Sequence, residues 1–220
     1  MNSQATYTPP SDCGLDVIYS DQYLIAVSKP SGLLSVPGRG EDKVDSMATR
    51  VRAEYADVLV AHRLDRDTSG LLVFPRGAKM HRQISMMFEA REIQKSYVAV
   101  VRGKLKPEQG EIDLPLIVDW PNRPRHIVDK VNGKPSQTRY RVLSFDEVSD
   151  TSRVALEPLT GRTHQLRVHM QALGHHILGD TLYGDNTDGN SPRLLLHAHT
   201  LAFKHPVRGE MLKLVAPLPF

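Results

Sequence analysis

The chain has 220 residues, of which 40% are apolar and 24% are charged, a composition typical of a globular protein that can bury its own core. Its longest apolar stretches are only a few residues long, which excludes a membrane helix of roughly 20 residues, and Met1–Pro10 lacks the order of a secretory signal. A single cysteine, Cys13, excludes an internal disulfide and indicates a cytoplasmic protein. The net charge of +3 permits nucleic-acid binding without requiring it.

The first half of the chain predicts an arm, a hairpin, a helix and a strand. Residues 1–14 are polar, contain two adjacent prolines and predict a mobile arm. Two short apolar runs, Leu15–Tyr19 and Leu24–Ser28, are separated by polar residues and predict a β-hairpin. A helix is predicted to begin after Ser46, which is a suitable N-cap, and Gly70–Phe74 predicts a buried strand.

The second half begins with the most regular helical pattern, over Ala78–Ala90. Its apolar residues recur on one face, at Met80, Ile84, Met87 and Phe88. Strands are predicted over 96–102, 139–145, 153–157, 194–203 and 211–215, and a third helix over Thr163–Leu173. Because strands follow one another without regular alternation with helices, we expect an α+β fold with a largely antiparallel or mixed sheet. No domain boundary is evident.

The most unusual segment is His62–Gly70, which crowds two acidic and two basic residues into a turn-forming stretch before a predicted strand. An aspartate flanked by cations would stay ionised there, as a nucleophile or a base requires. The alternative is a salt-bridged turn, in which Asp67 and Thr68 bond nearby backbone amides. The residue types alone leave both interpretations open.

A second cluster of polar residues is Gly161–His169. If the helix begins near Thr163, Arg162 lies at its start and can reach a carboxylate or a phosphate. His164 and Arg167 are three residues apart and would share a face of that helix. The alternative is an ordinary basic amphipathic helix.

A third cluster lies on the strand that begins near residue 95. Alternation places Lys95, Tyr97 and Ala99 on the same face of this strand. A tyrosine can stack on a nucleobase and can also carry a proton through its hydroxyl. The alternative is that Tyr97 only packs against its neighbours.

The positive charge is concentrated between Arg123 and Arg141. This stretch contains six lysine or arginine residues against one acidic residue, Asp129. A surface that binds a polyanion needs such a cluster, although a solvated basic face has the same composition.

Together these segments resemble the RluA family of pseudouridine synthases. His62–Asp65 followed by Thr68–Gly70 is similar to the signature motif of the family, and the clusters at Lys95–Ala99 and Gly161–His169 are similar to its two other core motifs, in the same order. Four further segments resemble the family: Lys29–Leu33, Gly179–Asp180, Tyr183–Gly184 and Leu194–Ala198. Asp119–Pro124 resembles a small member that acts on ribosomal and transfer RNA.

The resemblance implies a mixed, mainly antiparallel sheet with flanking helices and an active-site cleft. It implies one catalytic domain at residues 15–220 without an N-terminal S4 RNA-binding domain. The expected reaction is isomerisation of uridine in 23S ribosomal RNA and in a tRNA anticodon stem-loop, without a metal or an organic cofactor. We expect a monomer whose only partner is RNA.

The resemblance also implies the roles of individual residues. Asp65 is expected to be the nucleophile, Tyr97 to stack on the uracil and move a proton, and Arg162 to pair with Asp65. Arg63 is expected to enter the RNA stack as the uridine leaves. The other residues predicted to bind RNA are His62, Lys95, Arg123, Arg125, Lys134, Arg139, Leu166 and Arg167.

Two other functions fit parts of the sequence. Asp65–Thr68 matches the D-x-D-x-T loop of magnesium-dependent phosphatases of the haloacid dehalogenase type, but that nucleophile should follow an apolar parallel strand, and here His62 and Arg63 precede it. A non-catalytic RNA-binding protein would explain the basic clusters equally well. No zinc site is predicted, because His197 and His199 share a strand face without an evident third ligand.

Overall fold

The computed structural model describes residues 7–185 and 191–220. Its fold class is α+β with few helices and a mixed sheet, which confirms the prediction. Backbone contacts divide the chain into two compact units. Unit 1 comprises the chain up to Ile93 together with Thr200–Ala216, and unit 2 comprises Gln94–His199 and Pro217–Phe220.

The described residues form eleven strands and three α-helices. The strands are β1 (Val17–Ser20), β2 (Leu24–Lys29), β3 (Ser69–Pro75), β4 (Gln94–Arg102), β5 (Gln109–Asp113), β6 (Leu116–Val118), β7 (His126–Val128), β8 (Gln137–Asp146), β9 (Thr151–Pro158), β10 (Leu196–Lys204) and β11 (Met211–Val215). The helices are α1 (Met47–Glu54), α2 (Gly77–Glu89) and α3 (Gln165–Ala172). Short 3₁₀ turns lie at Glu41–Lys43 and Trp120–Asn122.

Unit 1 is built on the strands β1, β2 and β3, with the last five residues of β10 and with β11. The antiparallel pairing of β1 with β2 confirms the predicted hairpin. Helix α2 confirms the predicted apolar stripe, because Met80 and Ile84 are buried in a core with Leu71 and Phe203. Burying such side chains supplies the main favourable term in folding.

Helix α1 begins where the sequence predicts. Ser46 is its N-cap, and its hydroxyl accepts the Thr49 amide while the Thr49 hydroxyl accepts the Ser46 amide. This reciprocal capping satisfies two backbone donors that the first turn would otherwise leave unpaired. The next amides, of Met47 and Ala48, donate to the carbonyls of Leu34 and Ser35 at 2.7 and 3.1 Å. The start of α1 therefore fixes the chain at Ser35.

The described part of the predicted arm begins at Tyr7, whose side chain is buried. The Tyr7 hydroxyl donates to the Asp45 carbonyl at 3.1 Å and accepts the Leu34 amide at 3.0 Å. Arg50 donates to the Pro10 carbonyl at 2.6 Å. These contacts anchor residues 7–10 to unit 1, which the polar composition of the arm did not indicate. Residues 1–6 of the predicted arm lie outside the described residues.

Unit 2 is built on the first four residues of β10 and on β4, β9, β8 and β5, in that order. Helix α3 packs on this sheet through Leu166 and Met170, which share a core with Ala99, Leu156 and Ile177. The longest of these strands, β8, begins near the basic stretch of the sequence. It ends in a turn that carries three acidic residues, Asp146, Glu147 and Asp150.

A short hairpin, β6–β7, forms a separate two-stranded sheet in unit 2. Leu116 of β6 packs with Val168 of α3 and with Tyr183. The Tyr183 hydroxyl also accepts the His126 amide of β7 at 2.7 Å. The hairpin is therefore anchored on α3 and on the Tyr183 side chain.

Helix α3 begins two residues later than the sequence predicts. His164 precedes the first helical residue, Gln165, and has φ 56° and ψ 15°, in the left-handed region. His164 therefore lies outside the helix, although its side chain and that of Arg167 both contact Tyr183, as expected for residues on the same side. The end of α3 agrees with the prediction, because Gly174 follows with φ 82°, a conformation that glycine adopts without steric cost.

Candidate active site

Asp65 lies in an irregular segment of unit 1, immediately before β3. Hydrogen bonds from the connection between β2 and α1 hold the backbone on both sides of it. The Ser35 hydroxyl donates to the Leu64 carbonyl at 2.7 Å and accepts the Leu64 amide at 3.0 Å. The Ser31 hydroxyl donates to the Asp67 carbonyl at 2.6 Å. Asp65 is itself half-buried, so a partly exposed aspartate is carried on a fixed main chain.

A buried lysine completes this support. Lys29 is fully buried, and its ammonium group donates to the carbonyls of Pro30, Leu33 and Arg66 at 2.8, 2.7 and 2.8 Å. The Gly32 amide donates to the same Arg66 carbonyl at 3.0 Å. A buried charge is tolerated only when polar groups surround it. Here two of those groups, the carbonyls of Pro30 and Leu33, belong to the connection between β2 and α1, and the third, the carbonyl of Arg66, follows Asp65 directly. Lys29 therefore ties the two segments together.

The other polar residues around Asp65 have different surroundings. Arg63 is exposed. Arg66 and Asp67 form the ion pair that the salt-bridge interpretation anticipated, with Nε–Oδ1 at 2.8 Å. His62, which we predicted to bind RNA, is engaged within unit 1: its Nε2 accepts the Val73 amide at 2.9 Å. This hydrogen bond supports β3, and RNA binding by His62 stays a prediction.

In unit 2, β4 carries two of the predicted site residues. Tyr97 is partly buried and packs against the core that contains Ala99, which confirms that the two residues share a face. The Lys95 ammonium lies 3.9 Å from the position that a Cβ atom would take at Gly161. The structure thus brings the β4 motif and the motif that begins at Gly161 together.

Arg162 is exposed and lies in the turn before α3. Its Nε donates to the Pro135 carbonyl at 3.2 Å, and its amide donates to the Gln165 side chain at 3.0 Å. Gln165 is buried, and its Oε1 also accepts the Thr160 hydroxyl at 2.7 Å. The backbone that carries Arg162 is therefore fixed by the first residue of α3. Pairing of Arg162 with Asp65 stays a prediction.

His164 belongs to a cluster that is centred on Tyr183. Its Nδ1 lies 2.7 Å from the Tyr183 hydroxyl, and its ring contacts the His126 ring edge-to-face at 5.4 Å. The Tyr183 hydroxyl also accepts the His126 amide, so it joins His126 and His164 through hydrogen bonds. Sequence reasoning assigned Tyr183 no chemical role, although the Tyr183–Gly184 pair resembled the family.

Leu166 and Arg167 are not at the surface, which corrects their predicted role in RNA binding. Leu166 is buried in the core of unit 2. Arg167 is buried and forms a bidentate ion pair with Asp180, with both N–O distances at 2.7 Å. Asp180 also accepts the amides of Leu182 and Tyr183 at 3.0 and 3.1 Å. A phosphate cannot reach a guanidinium group that is held in this way.

The basic residues that we predicted to bind RNA in unit 2 are mostly accessible. Arg123, Lys134 and Arg139 are exposed, and Arg125 is half-buried. Arg139 pairs with Glu111 at 3.1 Å, and both side chains are exposed. Such surface pairs contribute about 1 kcal/mol or less, so this one does not prevent Arg139 from contacting a phosphate.

Two absences concern only the described residues. No three histidine, cysteine, aspartate or glutamate side chains among them are grouped so that they could hold a metal ion. None of their helices combines the length and the apolar composition that crossing a bilayer requires.

Comparisons with known proteins identify the family. The sequence profile described as RNA pseudouridylate synthase matches residues 23–172. The dual-specificity RNA pseudouridine synthase RluA of Escherichia coli (strain K12) is 47% identical over 97% of this chain and 98% of its own. RluA of Pasteurella multocida (strain Pm70) is 48% identical over 98% of both chains. The chain belongs to the RNA pseudouridylate synthase family.

Solved structures agree with the sequence comparisons. Human RNA Pseudouridylate Synthase Domain Containing 1 has a TM-score of 0.79 at 29% identity, over 97% of this chain and 87% of that one. Human RNA Pseudouridylate Synthase Domain Containing 4 has a TM-score of 0.74 at 25% identity, over 92% and 88% of the two chains. This synthase is an isomerase that converts uridine to pseudouridine in RNA.

Family membership decides between the functions that the sequence left open. The phosphatase interpretation is wrong, and the structure gives the physical reason: Asp65 follows no strand, and the next strand, β3, is antiparallel to β2. The interpretation as a binding protein without catalysis is also wrong, because the family is enzymatic.

Proposed function

We propose that this synthase acts on stem-loops of both 23S ribosomal RNA and transfer RNA, as a monomer in the cytoplasm, and that residues 15–220 act as a single catalytic domain. The similarity to relatives named dual-specificity RNA pseudouridine synthases extends over nearly the whole chain and supports the pair of substrates. A uridine in a loop is extracted at lower cost than one in a duplex, because fewer stacking and pairing contacts are lost.

We further propose that Asp65 is the nucleophile. The observation that carries this assignment is the support around it: serine hydroxyls, the Gly32 amide and the buried Lys29 ammonium fix Leu64, Arg66 and Asp67. Holding a reacting group in place lowers the entropy that must be lost in the transition state. The Asp67 carboxylate, by contrast, pairs with the Arg66 side chain at 2.8 Å.

The reaction rearranges bonds within one nucleotide. The C1′–N1 bond breaks, the uracil rotates, a C1′–C5 bond forms, C5 loses a proton and N1 gains one. The product has the composition of the substrate, so the reaction needs no oxidant, reductant or group donor. An ionised Asp65 carboxylate can attack C1′ of the ribose or C6 of the uracil, and both routes require its negative charge.

Tyr97 and Arg162 are proposed to assist the same reaction. The Tyr97 ring is partly buried on its strand, which preorganises it for stacking on the uracil, and its hydroxyl can move a proton. Arg162 is proposed to stabilise the Asp65 carboxylate. Arg63, Lys95, Arg123, Arg125, Lys134 and Arg139 are proposed to contact the RNA.

The replacement Asp65→Asn tests the assignment of the nucleophile. Asparagine has nearly the same shape but no negative charge, so we expect pseudouridine formation on a ribosomal or transfer RNA stem-loop to be abolished. RNA affinity should persist, because the proposed phosphate contacts involve other residues. Pseudouridine can be measured by mass spectrometry of the digested RNA. Its formation by folded Asp65→Asn protein, with deamidation to aspartate excluded by mass, would contradict the proposal.

The matched control is Asp67→Asn, two residues away in the same segment. Asp67 pairs with Arg66 at the surface, where an ion pair contributes about 1 kcal/mol or less. We expect a small loss of stability and turnover close to that of the parent protein. Loss of turnover in both variants alike would show that the segment, rather than the Asp65 carboxylate, had been disturbed.

A further inference from the structure

An exposed tryptophan lies at the tip of the hairpin β6–β7 in unit 2. Trp120 is 66% exposed, which makes it the largest of the exposed apolar side chains among the described residues. The Arg123 guanidinium lies over its ring, 4.4 Å from the centroid. One face of the indole is therefore covered by a cation, and the high exposure requires that the other face is open.

The turn that carries Trp120 is held by hydrogen bonds between its own residues. The Asp119 amide donates to the Arg125 carbonyl at 2.9 Å, and the Arg125 amide donates to the Asn122 carbonyl at 3.0 Å. The Asn122 side chain donates to the Asp119 carboxylate at 2.9 Å. A ring that is held on such a turn loses little conformational entropy when a ligand binds to it.

The surroundings of Trp120 carry a net positive charge. Residues 116–134 contain four cationic side chains, Arg123, Arg125, Lys130 and Lys134, against two acidic ones. Both acids are engaged locally: Asp119 accepts the Asn122 side chain, and Asp129 accepts the amides of Val131 and Asn132 at 2.8 and 2.9 Å. These charges favour a polyanion over an apolar protein surface as the occupant.

We infer that Trp120 binds an unpaired base of the RNA substrate on the face of its ring opposite Arg123. Single-stranded nucleic acid is held by this combination of an aromatic face and neighbouring cations, and the Arg123 cation over the indole strengthens the stack by cation–π attraction. The base is a different one from the reacting uridine, which we assign to Asp65 and Tyr97. The inference rests on the proposed function in that the ligand is the RNA substrate.

The fluorescence of the protein tests the inference directly, because Trp120 is its only tryptophan. The parent protein would be titrated with a ribosomal or transfer RNA stem-loop, and binding would be followed separately by the anisotropy of labelled RNA. We expect the tryptophan emission to be quenched in proportion to the RNA bound. Unchanged emission at RNA saturation would overturn the inference. This holds both if Trp120 binds no ligand and if it binds a protein.

Kinetics of three variants provide the second measurement. Trp120→Ala should raise KM roughly 5- to 150-fold, the range that base–aromatic stacking covers, with kcat retained at saturating RNA. Trp120→Phe should restore most of the affinity, because it keeps an aromatic face. Val148→Ala, which truncates an exposed apolar residue in the acidic turn after β8, is the control and should keep the parent KM. A parental KM in Trp120→Ala would overturn the inference.

The two measurements separate this inference from the proposed function. The titration needs no turnover, so it tests Trp120 stacking even with RNA that is not modified. If the parent protein forms pseudouridine in the stem-loop but its emission does not change, the stacking inference fails alone. If emission is quenched by an RNA that acquires no pseudouridine, that RNA is bound and is not a substrate.

Discussion

Lys29 carries a charge that is fully buried, and it donates hydrogen bonds to the backbone carbonyls of Pro30, Leu33 and Arg66. In Lys29→Met the carbonyls of Pro30 and Leu33 would lose this donor, while Arg66 would keep the Gly32 amide. Pro30 is exposed and Leu33 is buried. A buried acceptor left unpaired costs about 1–3 kcal/mol, so we expect the free energy of unfolding to fall by about that amount. Urea unfolding measures this change.

Turnover should fall in Lys29→Met more than RNA affinity does, because the segment around Asp65 loses a support while the basic surface of unit 2 is untouched. The control is Lys204→Met, which removes an exposed lysine at the end of β10 in the same unit. Parental stability in Lys29→Met would contradict the role that we assign to this ammonium group.

Arg167 and Asp180 form a buried ion pair in unit 2. Removing one partner leaves the other charge buried without compensation, so Arg167→Met should reduce the free energy of unfolding by about 3–5 kcal/mol. The salt dependence of RNA binding should stay as it is in the parent protein. A stable Arg167→Met protein with a weaker salt dependence would instead return Arg167 to the RNA-binding surface.

The sequence predicted the chemistry of residues whose motifs are local, and failed for those defined by distant partners. The run of charges around Asp65 is visible because its members are neighbours in the chain. The partner of Arg167 is 13 residues away, and Lys29 reaches a carbonyl 37 residues away. Charge alone therefore placed Arg167 at the surface, although its tertiary partner buries it.

Helix α1 connects a capping interaction to the candidate active site. Ser46→Ala removes the acceptor of the Thr49 amide, and losing an N-cap of this kind costs about 0.5–2 kcal/mol. Because the first amides of α1 hold Leu34 and Ser35, and Ser35 holds Leu64, we expect turnover to fall as well.

Thermal unfolding together with turnover tests this connection. Ser11→Ala, an exposed serine in unit 1, is the control and should leave both unchanged. A Ser46→Ala protein that loses stability but keeps full turnover would show that α1 supports only the fold.

Elements with a strong periodic pattern were predicted well, and short ones were not. The stripe of α2 and the apolar run of β3 determine their own structure, so their bounds agree closely with the sequence analysis. Strands β6 and β7 have three residues each, too few to show an alternation, and they depend on contacts with α3 and Tyr183. The late start of α3 accompanies the Gln165 side chain, which accepts the Thr160 hydroxyl and the Arg162 amide from the residues before the turn.

At the scale of the whole molecule, the net charge of +3 is smaller than the positive charge of the stretch between Arg123 and Arg141, which we propose to contact the RNA. We expect RNA affinity to fall linearly with salt on a log–log plot, by about 0.7 for each phosphate neutralised on a single strand. Lys134→Gln removes an exposed cation of the basic stretch and should reduce the slope by about that amount. Binding constants measured between low and high salt give the slope.

Lys106→Gln is the control, since Lys106 is exposed in unit 2 but lies outside the basic stretch. It should keep the parental slope. Affinity that does not respond to salt would mean that phosphates contribute little, and the proposed roles of Arg123, Arg125, Lys134 and Arg139 would have to be abandoned.

Strand β8 joins the basic stretch at Gln137 to the turn that begins at Asp146, and charges of both signs lie at each of its ends. At the first end, Arg139 pairs with Glu111, and Gln137 donates to the Asp113 carboxylate. At the other end, Arg102 donates to the Ser149 carbonyl, and the Lys104 ammonium lies over the Phe145 ring. Because screening limits the field of exposed charges to about 8–10 Å, we expect RNA to respond to individual side chains at close range rather than to the charge of the whole unit.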